Sequence, residues 1–434
     1  MIRSRRIVHS MKMALALTLV SIIYYVRPLY DSFGVAAVWA VMTVVVVSEF
    51  TVGATISKCL NRDFATLLAG ALGILAEYLA RLSGDQGKPI LLGVFVFFLA
   101  AASTFTRFFP KVKARYDYGV LIFILTFSLV AVSGARVTDV MELALQRLST
   151  IIIGASTCLV ISIFVYPVWA GEDLHNLVAL NLENLSHYIH GRLTRAFIRL
   201  SPCPSSSETH RYHLHLANIE SCAGFGGEYF KERSNERPST DEDEAVLHAY
   251  RHRSIINSKA TVDNLVNFAR WEPGHGGFGL RHPWKKYSHI AALTRECASH
   301  IEALNASVTF GIKASAELQA RIQKPCAVIC SESSQALRCL SLSIREMTDH
   351  QSSLAEAHIR NSKTAAEDLT LILKTQSLDT ANVLGLMQTA TAASVLISAV
   401  TKIDRLAEAI SELSKQAKFK SSLTSSPTLS TSPC

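Results

Sequence analysis

Six apolar runs fill the first 170 residues, separated by short polar joints. They are Met13–Val26, Ser32–Ser48, Phe64–Ala80 (broken only by Glu77), Pro89–Thr106, Tyr118–Ala135 and Leu148–Gly171. A helix that crosses a bilayer core of about 30 Å needs about 20 apolar residues, range about 17–25. Five runs meet that range. The first meets it by continuing through Arg27 to Tyr30, with long side chains snorkelling. Six such runs so closely spaced predict a transmembrane bundle rather than the buried core of a soluble protein.

Beyond residue 171 the period changes. Leu174, Leu177, Val178, Leu182, Leu185, Ile189 and Leu193 recur at three- and four-residue steps, the signature of an amphipathic helix. Ser201–Thr209 reads as a Pro/Ser linker, and Asp241–Glu244 opens a helical region reaching Ala269. Trp271–Pro283 carries four Gly and two Pro and must be a loop. Residues 284–323, 325–348 and 352–374 read as long helices, Pro325 starting one. Asn382–Thr401 has no charge, yet its Thr, Ser, Gln and Ala content favours a buried helix or subunit contact over a seventh span. Strand signals are weak throughout. The fold class is therefore all-α: a six-span transmembrane bundle at 1–171, a cytosolic helical domain at 172–420 and a disordered Ser/Thr/Pro tail at 421–434.

Charge refines this picture. The chain of 434 residues is 49% hydrophobic and only 18% charged, against about a quarter for soluble proteins. Residues 1–170 hold 15 Lys/Arg and 8 Asp/Glu, whereas the remainder is nearly balanced. A nucleic-acid binder would carry its basic excess on a polar surface. One side of the membrane would hold Arg3, Arg5, Arg6, Lys12, Lys58, Arg62, Arg107, Lys111, Lys113 and Arg115. The other would hold Arg27, Arg81, Lys88, Arg136 and Arg147. Ten against five places both termini in the cytosol. The basic and then apolar start resembles a signal peptide, but Tyr24–Pro28 is too bulky for cleavage, so a retained first helix is expected.

The sequence carries no nucleophile elbow, Walker loop, His-Glu-x-x-His or dinucleotide fingerprint, and no enzymatic activity or cofactor is expected. His210, His213 and His215 read as a solvated turn. The nine cysteines form no Cys-x-x-Cys pair, and Cys326 and Cys330 read as packing. What remains is cationic groups beside membrane spans, which face a water-filled path or snorkel outward. Arg107, Lys111, Lys113 and Arg115 crowd one joint. Arg136 and Arg147 stand where positive charge is disfavoured. Such groups attract anions into a pore, and a guanidinium fork fits a carboxylate. Glu49 and Glu77 could pair with pore cations. Asp31, Asp139 and Glu142 offer hard oxygen donors for a multivalent cation on the outer side.

Several strings carry a resemblance: WAVMTVVVVSEFTVGAT (39–55), KCLNR (58–62), KARYDYGVLIFILTFSLVAVSG (113–134), QRLST (146–150), PVWAGEDLH (167–175) and ARWEP (269–273). Together they resemble the plant aluminium-activated malate transporter family. The resemblance implies a homodimeric anion channel in a lipid bilayer, six spans per subunit, passing malate and inorganic anions such as chloride, nitrate or sulfate. It carries the family's cationic pore residues to Lys58, Arg62, Arg107, Arg115 and Arg147. Lys111, Lys113 and Arg136 join them by position alone. Activation by external aluminium would fall to Asp31, Asp139 and Glu142. The chain departs from the family pattern at Ser48, where an aromatic is expected, and at Cys59 and Asp63, where small residues are. Asp63 sets a negative charge beside Arg62. The short N-terminal arm favours the plasma membrane over the vacuolar membrane. The rival reading is a coupled organic-acid exporter, which broken helices and internal repeats would signal.

Overall fold

A computed structural model describes residues 2–27, 38–134, 140–194, 241–309, 316–375 and 383–420. These residues are helical, with no strand among them. They divide into two compact units: Met1–Ala170 with Asn267–Pro273, and Gly171–Val266 with Gly274–Cys434. The Ser201–Thr209 linker, the His210–His215 cluster and the 421–434 tail lie outside the described residues.

The first unit contains α1 (Ile2–Tyr25), α2 (Val38–Val47), α3 (Val52–Arg81), α4 (Gly84–Thr106), the short α5 (Pro110–Arg115), α6 (Asp117–Gly134) and α7 (Val140–Phe164). Val52–Arg81, Gln86–Thr106 and Ala144–Phe164 are long and apolar enough to cross a membrane, and Asp117–Ser133 and the described part of the second run are shorter apolar helices. The described part of each apolar run lies largely on a helix, but the bounds depart from the runs in an informative way. α1 starts at Ile2, so the helix of the first run extends upstream through Lys12; the expected continuation through residues 28–30 lies outside the described residues. α3 starts twelve residues before Phe64. Thr51 caps it, its side chain accepting from the Ala54 amide, and Lys58 and Arg62 therefore sit on its second and third turns rather than in a joint. Arg147 likewise lies within α7, which ends at Phe164, short of Gly171. A charge need not end a span, because an i, i+4 pair keeps the helical period.

Small residues let these helices approach. A Cβ on Gly154 would stand 2.7 Å from the Ala40 carbonyl oxygen, and one on Gly73 2.6 Å from Val130. α2, α3 and α7 enclose Ala40, Val44, Cys59, Ala155 and Cys158, while α3, α4 and α6 enclose Ala69, Ala76, Leu92, Phe127 and Ala131. The large apolar side chains point the other way: Phe64, Phe97, Phe98 and Phe105 are all exposed. A unit that buries alanine and exposes phenylalanine is built for lipid, where association depends on close packing rather than on apolar burial.

The second unit contains α8 (Ala170–Tyr188), which continues as a π-helical turn at Ile189–Thr194, then α9 (Asp241–Asn257), α10 (Lys259–Ala269), α11 (Trp284–Thr309), α12 (Ala316–Glu346), α13 (His350–Lys374) and α14 (Val383–Ala417). Leu174, Val178, Leu182, Leu185, Ile189 and Leu193 are buried. α14, whose Gly385–Ala417 stretch also has membrane-spanning length and composition, buries Leu396, Ile403, Leu406, Ile410 and Leu413 and packs on α11, α12 and α13. Pro325 does not start a helix: it lies inside α12, while α11 is described as far as Thr309 and residues 310–315 of the expected helix lie outside the described residues. An interior proline costs about 3 kcal/mol. The buried row Leu318, Ile322, Cys326, Ile329, Cys330 and Leu337 that brackets it offsets that cost.

Candidate anion site

α3 carries Lys58, Arg62 and Thr66 at four-residue steps, hence on one face. Arg62 is 4% exposed, and its Nη1 donates to the Tyr118 hydroxyl at 3.1 Å. Lys58 pairs with Glu49, and its Nζ stands 5.6 Å from the Tyr118 ring centroid. Tyr118 thus touches both cations. Across the seam, α7 presents Arg147, 8% exposed, with its guanidinium carbon 3.8 Å from the Trp39 ring centroid. That stacking lowers the cost of holding a guanidinium away from water. Arg62 is a charged neighbour of Arg147.

Four buried polar atoms here have no hydrogen-bond partner among the described residues: Arg62 Nε, Arg147 Nε, Thr66 Oγ1 and Asp63 Oδ1. A buried donor without an acceptor costs about 1–3 kcal/mol, more when charged. Two like charges in apolar surroundings add repulsion. An anion with two or more oxygens placed between α3 and α7 would relieve both costs.

The remaining sequence candidates lie in other settings. Arg107 donates through Nε and Nη2 to both oxygens of Asp117, at 2.7 and 3.1 Å. Lys111 and Lys113 project from α5 into the exposed layer. Arg115 lies over the Tyr116 and Trp271 rings, 5.4 and 5.3 Å from their centroids. Glu77 is buried and holds Arg81 at 2.8 Å and Lys88 at 3.4 Å. Glu142 is exposed and accepts from Gln146 at 3.1 Å. Arg136, Asp31 and Asp139 lie outside the described residues. A groove of about 870 Å³ is a different surface from this seam. It is lined by Leu60, Phe64, Leu68, Tyr116, Phe123 and Trp271, and it is apolar, without a cation.

Sequence reasoning missed Trp39, Tyr118 and Glu272 as working parts, although all three stand inside the diagnostic strings. Glu272 is 8% exposed, and its Oε1 accepts from the amides of Gly53 at 3.1 Å and Ala170 at 2.6 Å. One carboxylate therefore caps the start of α3 and the first residue of α8, where helix N-termini present unpaired donors and positive potential. Only glycine fits at position 53: a Cβ would stand 2.4 Å from the Phe268 carbonyl oxygen. This clasp fixes the turn from which α3 carries Lys58 and Arg62 into the seam.

A family model described as aluminium activated malate transporter matches residues 3–382. Aluminum-activated malate transporter 7 of Arabidopsis thaliana is 46% identical over 421 residues, covering 96% of this chain and 81% of the relative. Aluminum-activated malate transporter 2 of the same plant is 45% identical over 416 residues. Aluminum-activated malate transporter 1 of Triticum aestivum is 42% identical over 425 residues, covering 96% of this chain and 83% of the relative. Paired buried guanidiniums on close-packed apolar helices, and likeness along nearly the whole chain, lead to one conclusion: the protein belongs to the aluminium-activated malate transporter family.

Proposed function

We propose that this protein is a membrane anion channel that passively conducts malate and inorganic anions. Its membrane part is 1–171 with six spans, 172–420 forms a cytosolic regulatory domain, and 421–434 is a tail. Two copies make the channel, in the plasma membrane rather than the vacuolar membrane. One observation carries the proposal: Arg62 and Arg147 are buried on facing helices of a unit with an apolar exterior, each with an unpartnered Nε. The relatives' names supply malate. Arg62 and Arg147 hold the anion, Lys111, Lys113, Arg115 and Arg136 raise its local concentration at the mouths, and Lys58 and Arg107, matched by Glu49 and Asp117, line its path. A passing anion needs no tight pocket, only partial replacement of its water by several donors. Membrane potential supplies about 2.3 kcal/mol per charge per 100 mV, enough to drive a divalent anion outward from a negative cytosol. External aluminium would act through Asp31, Asp139 and Glu142.

Two-electrode recording in oocytes with malate, chloride and nitrate, with and without external aluminium, tests this. Arg147→Glu puts a carboxylate over Trp39 and is expected to cut malate current at least tenfold and shift its reversal potential. Unchanged current and reversal potential overturn the pore assignment. Saturating, slow flux with strict counter-ion coupling would identify an exporter instead.

A further inference from the structure

Asp63 is a carboxylate on a membrane helix, one residue past Arg62 and facing Cys59 one turn back on α3. Its Oδ1 is buried and has no hydrogen-bond partner among the described residues. Nothing in the packing of α3 requires it: Cys59, Arg62 and Thr66 already fill the buried face. Arg62 is the charged neighbour of both Asp63 and Arg147.

Charge can be counted at this seam. Lys58 is neutralised by Glu49. Arg62 and Arg147 contribute two positive charges, and Asp63 as a carboxylate subtracts one, so each chain presents a single net positive charge. In a medium of low dielectric a site holds best the ligand that brings it to neutrality. A monovalent anion does so here, whereas a divalent one leaves a negative charge uncompensated.

Resting on the anion-conducting reading above, we propose that Asp63 sets the valence selectivity of the channel: it tunes the Arg62–Arg147 seam toward monovalent anions and holds back dicarboxylates. Chloride, nitrate and singly ionised organic acids pass more readily than fully ionised malate. Asp63 acts on the anion through charge, without donating a hydrogen bond to it. Removing that charge leaves two positive charges, which a dianion matches.

The experiment is a bi-ionic reversal-potential measurement of malate against chloride, at a pH where malate is fully divalent. It compares the wild-type chain, Asp63→Asn and Asp63→Ala, with Glu367→Gln as a control on an exposed carboxylate of α13. Reversal potentials do not depend on how much protein reaches the surface. Asparagine and alanine are both expected to raise the malate-to-chloride permeability ratio by about tenfold, the order expected from one charge a few ångströms away. The Glu367→Gln ratio is expected to match the wild type. A conducting wild type whose ratio survives both Asp63 substitutions overturns the inference while leaving the channel intact. Two silent Asp63 variants at normal surface level also overturn it, because Asp63 would then be holding the fold. A wild type that passes no anion removes the conduction reading and this inference together.

Discussion

Arg62 and Arg147 are held by different devices. A hydroxyl steadies one, and an indole face steadies the other. Neither device neutralises its charge, which distinguishes this pair from Arg107, locked on Asp117, and from Lys58, matched by Glu49. Glu272 shows the opposite economy, a carboxylate matched by amides rather than by a cation. Replacing Glu272 by alanine strips an acceptor from two buried donors and is expected to destabilise the protein by about 3 kcal/mol. Glutamine keeps a carbonyl oxygen at the same reach and should recover about half of that, since neutral hydrogen bonds are weaker. Thermal unfolding of the detergent-purified protein orders the three: wild type, then glutamine, then alanine. The cations were legible in the sequence because charge among apolar residues is conspicuous. Their settings were not, because Trp39 and Tyr118 look like ordinary interfacial aromatics until the fold brings Arg147 and Arg62 beside them.

At the scale of the element, small residues decide how close the helices come. Valine at Gly154 would drive a side chain into the Ala40 carbonyl and Thr43, and is expected to cost about 1–3 kcal/mol through separation of α2 from α7. Alanine at Gly93 meets nothing within 4 Å and should be neutral or stabilising by up to about 1 kcal/mol. The same thermal assay checks both. Helix existence was readable from hydropathy, but helix ends were not. α3 begins at Thr51 because its side chain caps the Ala54 amide, and a hydropathy criterion sees only Lys58 and Arg62 and stops. α12 runs through Pro325 because buried neighbours outweigh the local penalty, and those neighbours come from α13 and α14, remote in sequence.

Across the whole molecule, the two units respond differently to solvent. The first faces outward with carbon. The second keeps several histidines neutral and covered. His175 Nδ1 and His282 Nε2 lie 3.0 and 3.1 Å from the Tyr287 hydroxyl, packed with Phe278 and Trp284. Burial, with His175 and His275 nearby, pushes His282 from 6.5 down to about 4. Burial, with Arg251 nearby, does the same to His187. Burial also lowers His175. A histidine depressed in the folded state takes its proton first when unfolded. Its stabilisation is therefore full above about pH 6.5 and is lost as pH falls toward about 4. With the partial exposure of His282 discounted for solvent screening, His187 and His282 together account for about 5 kcal/mol. Hydrogen exchange on the full-length protein should show α8 and α11 opening as pH falls through that window, and the loss should be smaller in His282→Gln. Amphipathic spacing alone disclosed the second unit's helices. It could not disclose that residues 267–273 pack with the first unit, because that assignment rests on pairings across 219 and 102 residues.

The Glu272 clasp bears on how the protein is made. Ala170 leaves the ribosome 102 residues ahead of its acceptor, and Gly53 leaves 219 residues ahead. At about 5–20 residues per second, Ala170 waits about 5–20 s, and Gly53 about twice as long. During that interval the nascent bundle sits in the translocating membrane with the Gly53 and Ala170 amides lacking their acceptor, sheltered by water or insertion machinery. A transcript ending before codon 272 would deliver every apolar run and still leave the bundle unfinished.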